Sequence, residues 1–184
     1  MSRNGMNRAW RKNRIVKHKD KWHKVPVGTK EDESVRGKNP CVAGALVKFS
    51  DFHGLKKQYD KFIRLQTKSS GFGDCVSSWE KCRGFLTVNG TLKNPLDADP
   101  ELLYLLQISA EYNGNFDNTH CVSLYNNLIF DINHIDPLPL SKTNLDLCCL
   151  GDKWKFHHIS KCQIFQPHKK TYRFIQKHIN NNKC

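Results

Sequence analysis

A chain of 184 residues with 38% apolar and 10% aromatic content has enough material for one globular core. A mean hydropathy of -0.64, 26% charged residues and no apolar run near the ~18 residues of a membrane helix argue against a membrane-spanning protein. The net charge of +13 is concentrated at the front, where residues 1–24 hold Arg3, Arg8, Arg11, Lys12, Arg14, Lys17, Lys19, Lys21 and Lys24 against Asp20 alone.

That basic arm would attract polyanions by counterion release, so nucleic acid is a candidate partner through residues 1–24, with Trp10 and Trp22 available for stacking. The bland alternative is a solvated, largely disordered arm. Its basic residues are followed by no apolar stretch and no small-residue cleavage site, so the start does not read as a secretory signal, and a cytoplasmic or nuclear location is expected. On the same ground the eight cysteines are expected to be thiols and not a disulfide framework. The domain reading is an arm and linker over 1–34, a main domain over 35–175 and a polar tail over 176–184.

In chain order, Lys21 to Gly28 reads as a short extended segment, followed by a polar loop. After Pro40, the recurrence of Val42, Leu46, Phe49 and Phe52, closed by Gly54, predicts a helix over about 41–53. Leu55, Tyr59, Phe62 and Ile63 predict a second over about 55–66. Asp74 is a suitable N-cap for a third, with Cys75, Trp79, Cys82 and Leu86 as its apolar stripe. The segment 87–100 reads as a loop. Glu101 to Ile108 is nearly all apolar and fits a buried strand or a short helix, with strand preferred.

Ser109 to Thr119 reads as a loop, and His120–Tyr125 and Leu128–Asn133 as a hairpin turning on Asn126 and Asn127, residues that tolerate positive φ. Counting back from the turn sets His120 opposite Asn133 and diagonal to Asp131, on one face with Val122, Leu124 and Ile129. Either polar residue could hold an imidazole in one tautomer, as the third member of a triad does. Ser141 caps a short helix. The run 154–165 reads as a strand with Phe156, His158, Ser160, Cys162 and Ile164 on one side.

A nucleophilic thiol is favoured at a helix N-terminus, where the dipole and free N–H groups stabilise a thiolate and an oxyanion. Cys41 and Cys75 both qualify. Cys75 lies on an apolar stripe, which suits packing. Cys41 opens its helix beside Ala43, Gly44 and Ala45, whose small size permits close approach, so Cys41 is preferred and Cys75 is the alternative nucleophile.

The run Asn39-Pro40-Cys41-Val42-Ala43-Gly44-Ala45-Leu46 resembles the nucleophile helix of papain-like-fold cysteine peptidases, most closely the ovarian-tumour type. His120 with Val122, and Asp131 with Asn133, resemble the histidine and Asp/Asn strands of that fold, in the same chain order. The resemblance spans about residues 36–133. It implies an α+β, papain-like fold: an N-terminal helical part presents the cysteine, and a C-terminal antiparallel sheet presents His and Asp/Asn. The implied activity is thiol-dependent cleavage of peptide or isopeptide bonds in a polypeptide substrate, perhaps-deubiquitinase chemistry excepted from no part of this implication, by Cys41, His120 and Asp131 or Asn133, with no cofactor. No Gln precedes Cys41 at the papain position and the acidic Asp-Gly-Asn lead-in is missing, so Asn39 or backbone N–H groups would bind the oxyanion.

Two other readings compete. Cys148, Cys149, His157, His158 and Cys162 have the donor types of a zinc site, but adjacent pairs diverge on a helix or strand, so no metal is expected. A catalytically idle papain-like binding module, with the arm gripping nucleic acid, would fit a protein of a mobile element or virus.

Overall fold

The computed structural model describes residues 13–18, 21–26, 41–65, 71–149 and 153–181. Within the basic arm, β1 (Asn13–His18) and β2 (Lys21–Pro26) pair as an antiparallel two-stranded sheet. The expected extended segment is therefore β2, and it has a strand partner that the arm reading did not anticipate. The rest of residues 1–34, together with Asn39 and Pro40, lies outside the described residues.

The main body is α+β. Helices α1 (Cys41–Phe52), α2 (Lys56–Leu65) and α3 (Phe72–Glu80) come first. They are followed by β3 (Phe85–Val88), β4 (Leu103–Tyr112), β5 (Asn115–Tyr125), β6 (Leu128–Phe130) and β7 (Leu138–Pro139). Helix α4 (Lys142–Cys148), strand β8 (Lys155–Pro167) and helix α5 (Lys169–Asn181) complete it. The six strands form one antiparallel sheet in the order β3-β8-β4-β5-β6-β7. No helix among the described residues is long and apolar enough to cross a membrane.

The sheet is covered on both faces, which explains the near-continuous apolar run of its central strand β4. On one face α1 packs over β5, with Phe49 at the centre of a ring cluster. Its edge contacts reach His53, Trp79, Phe85, Tyr125 and Phe130 at centroid distances of 4.9 to 6.1 Å. On the other face Val122, Leu124 and Ile129 meet Leu145 and Cys148 of α4.

Several expectations are corrected. Helix α3 begins at Phe72, two residues before Asp74. Asp74 occupies the third helical position, where its carboxylate accepts the Gly71 N–H at 3.1 Å, so it performs the reverse half of a capping box and is not the N-cap. The helix stops at Glu80, and Leu86, assigned to its stripe, is an exposed residue of β3. The supposed loop 109–119 is mostly strand, turning on Asn113 (φ 51°) and Gly114 (φ 76°), an Asn-Gly hairpin signal. In β8, register shifts break the alternation, so Ile159 faces the core while His158 and Ser160 are exposed. The basic end, expected as a polar tail from 176, continues α5 to Asn181.

Two contacts fix α1 against the sheet. The buried Ser123 hydroxyl donates to the Ala45 carbonyl at 2.9 Å. Gly44 lies flush on Ile132: a Cβ there would sit 2.9 Å from the Ile132 Cβ and nearer still to its Cδ1. Gly44→Ala should therefore cost about 1–3 kcal/mol of stability by overpacking, measured as a lower denaturant midpoint with an unchanged slope.

Candidate active site

Cys41 is the first residue of α1, where backbone N–H groups have no intrahelical acceptor and the helix dipole favours negative charge. The segment is helical because its apolar residues recur on one face, and Val42 to Val47 are buried. Cys41 itself is half-buried at the edge of the core it helps close. Its thiol makes side-chain hydrogen bonds with both His120 and Cys121, neighbours on β5.

A register shift in β5 opposite Ile108 and Ala110 places one extra residue directly before His120. Such a bulge re-aims the next side chain, a device common beside reactive sites. His120 is 3% exposed and Asp131 1%, so both are withdrawn from water. The His120 Nε2 lies 2.6 Å from the Asp131 Oδ1. That engagement leaves Nδ1 as the ring nitrogen for the thiol.

The hairpin forms as expected from Ser123–Phe130 to Tyr125–Leu128, with Asn126 (φ 50°) and Asn127 (φ 58°) as its turn. Strand pairing stops at Phe130, however, so the cross-strand pairs expected beyond it do not extend to His120 and Asn133. Residues 131–134 form a turn closed by the His134 N–H on the Asp131 carbonyl at 3.2 Å. The turn brings Asp131, expected only as the diagonal neighbour, directly onto the imidazole. Asn133 is displaced to the flank: its amide nitrogen is 3.4 Å from Nε2, and its backbone N–H donates to Asp131 Oδ1 at 3.0 Å. Of the two candidate orienting residues, Asp131 has the shorter and charged contact.

The other Asp131 oxygen, Oδ2, is 2.7 Å from the Nδ1 of His134, also buried. His134 was not among the residues singled out from sequence. Its only local signal is a spacing of three residues from Asp131, which a tight turn converts into contact.

The electrostatics follow from these neighbours. The Cys121 hydrogen bond lowers the Cys41 pKa, burial opposes it, and the bond to His120 and its charge lower it further, leaving Cys41 well below the ordinary thiol range. Burial disfavours a charged His120, but the Asp131 charge and hydrogen bond, with those of Cys41, outweigh it and raise His120 to about 10. Burial likewise acts against ionised Asp131, while the His120 charge and hydrogen bond and the His134 hydrogen bond hold it well below the usual carboxylate range. Cys41 thiolate and His120 imidazolium therefore stabilise each other.

Cys75, the alternative nucleophile, is fully buried in the core with Trp79 and Cys82. The expected zinc-type ligands do not converge. His157 and His158 are exposed on β8 with their Nδ1 atoms 2.7 Å apart, whereas Cys148 and Cys149 are buried. Instead, Asp131, His134 and Cys148 bring one donor atom each within 4.8 Å of one another. This trio could hold a metal ion only by displacing protein hydrogen bonds: His134 bonds to Asp131, and so does Cys148, whose thiol is pushed well up by burial and then by the Asp131 charge. A hollow of about 210 Å³ on the outer side of Asp131, lined by Lys48, Phe52 and Pro137 among others, does not include Cys41 or His120.

No family model, curated protein or solved structure matches the chain.

Proposed function

We propose that the chain is a thiol-dependent hydrolase of papain-like type, cleaving peptide or isopeptide bonds in a polypeptide substrate. The observation that carries this reading is the convergence of a half-buried helix-start cysteine, a histidine bonded to it and a buried carboxylate 2.6 Å from the far ring nitrogen. Three residues from separate elements meet in the order a covalent acyl-transfer site requires.

In this mechanism His120 holds the Cys41 proton, and the thiolate attacks the substrate carbonyl. Free N–H groups at the start of α1 receive the oxyanion, with Asn39 as the side chain proposed to assist. His120 then protonates the leaving amine, and water, deprotonated by His120, resolves the thioester. Asp131 keeps the ring oriented throughout and offsets its charge.

The test is hydrolysis of fluorogenic peptide and isopeptide substrates by the purified full chain. Turnover should appear with at least one bond type and vanish in Cys41→Ala. Wild-type protein with a reactive Cys41 but no turnover on either would leave the second reading, an idle module whose basic arm holds nucleic acid. That reading draws on the nine Lys and Arg within residues 1–24. It expects salt-dependent nucleic-acid binding that is lost on replacing those residues with neutral ones.

A further inference from the structure

Acyl transfer makes no use of Cys121, yet its thiol is bonded to the Cys41 sulfur. We infer that Cys41 and Cys121 form an oxidation-sensing pair, in which hydrogen peroxide closes a reversible disulfide between the start of α1 and β5. The inference rests on the same reactive Cys41 as the hydrolase reading and does not need turnover.

The two sulfurs differ in access as such a pair requires. Cys41 is half-buried and open to a small oxidant, whereas Cys121 is 2% exposed and is shielded until its neighbour has reacted. Both side chains belong to the same packed cluster between α1 and the sheet. By contrast, the thiols of Cys82 and Cys149 bond to carbonyls of Ser78 and Leu145 in or beside their own helices, at 3.2 and 3.5 Å. Oxidation susceptibility follows thiolate character and exposure, and a resolving thiol alongside is the usual companion of a reversible sensor.

The chemistry balances in two steps. The Cys41 thiolate attacks one peroxide oxygen, the O–O bond breaks, and Cys41 becomes a sulfenic acid with release of hydroxide. Cys121 then attacks the Cys41 sulfur, an S–S bond forms as the S–O bond breaks, and the departing hydroxide takes the Cys121 proton as water. The first step also prepares the second. Cys121 is held protonated by its bond to the Cys41 thiolate and by burial, and conversion of Cys41 to a neutral sulfenic acid removes the first of these. A dithiol reverses the closure.

The experiment treats the full chain with hydrogen peroxide, blocks remaining thiols with an alkylating agent and maps the peptides by mass spectrometry. A linked Cys41–Cys121 peptide is expected, with Cys41 labelling restored by dithiothreitol. In Cys121→Ser, peroxide should instead carry Cys41 to sulfinic acid, and dithiothreitol should not restore labelling. Sulfinic acid at Cys41 of the wild-type chain with Cys121 still a thiol, or a link from Cys41 to Cys75, would overturn the pair. So would a Cys41 that peroxide leaves unchanged. The wild-type map decides alone if the variant does not fold. The two readings separate cleanly: a Cys41 that is alkylated but never linked removes the sensor alone, and a linked pair without hydrolysis removes the hydrolase alone.

Discussion

Cys41→Ala should abolish labelling of the chain by a thiol-directed probe at neutral pH, while Cys75→Ala leaves it intact. The difference follows from access and charge. Cys41 opens α1 at the surface beside His120, and Cys75 is fully buried with aromatic neighbours. His120→Ala should keep the thiol but remove the group that holds its proton. The expected loss in substrate turnover is about a hundred- to ten-thousand-fold, the contribution usual for a positioned acid-base group. Mass-spectrometric mapping of the labelled cysteine checks the first part, and labelling that survives Cys41→Ala would transfer the role to another thiol.

The second large effect is expected at Asp131, which binds two buried histidines through its two oxygens, at 2.6 and 2.7 Å. Asp131→Ala should cost about 3–5 kcal/mol of stability, because removal of one partner leaves buried polar groups without an acceptor. Asp131→Asn nearly preserves the shape and should fold better, yet its amide can turn the ring to the wrong tautomer. In triads of this kind that change lowers turnover by about ten-thousand-fold. Chemical denaturation and kinetics on the two variants separate the roles. If Asp131→Asn turned over normally, Asn133 or the backbone would have to orient His120.

Much of this architecture was legible in the sequence because it rests on local periodicity and turn chemistry. Helices α1 and α2, the Asn126-Asn127 hairpin and the Ser141 cap, whose hydroxyl accepts the Asn144 N–H at 3.1 Å, appear within a residue or two of their expected places. Cys41, His120 and Asp131 were legible for the same reason: each sits at a helix start or on a strand near a recognisable turn.

What was missed depends on tertiary context or on local signals that point two ways. Strand β3 has only four residues and exists by pairing with the distant β8. Asp74 looks like an N-cap but acts from inside the helix. The Asn113-Gly114 turn was obscured by the polar residues around it. Cys121 alternates away from His120 along β5, and only the docking of α1, held by Ser123 and fitted at Gly44, brings its thiol to Cys41. The ending of β6 at Phe130 changed which of Asp131 and Asn133 meets the imidazole, and no pattern in the sequence fixes where strand pairing stops.

The central claim is that Cys41 and His120 rest as a thiolate–imidazolium pair, and the pH dependence of Cys41 alkylation tests it most directly. Iodoacetamide modifies thiolates, so an ordinary thiol reacts about tenfold faster per pH unit as pH rises toward its pKa near 8.5. With Cys41 depressed, the thiolate is already formed at neutral pH, and acid slows the reaction only where it protonates the pair. On the alkaline side the imidazolium persists until His120 loses its proton at about 10. The account predicts a rate that is flat from about pH 6 to about pH 8 in the wild type and becomes steeply pH-dependent in His120→Ala. A wild-type rate that climbs through that interval like a free thiol would contradict it.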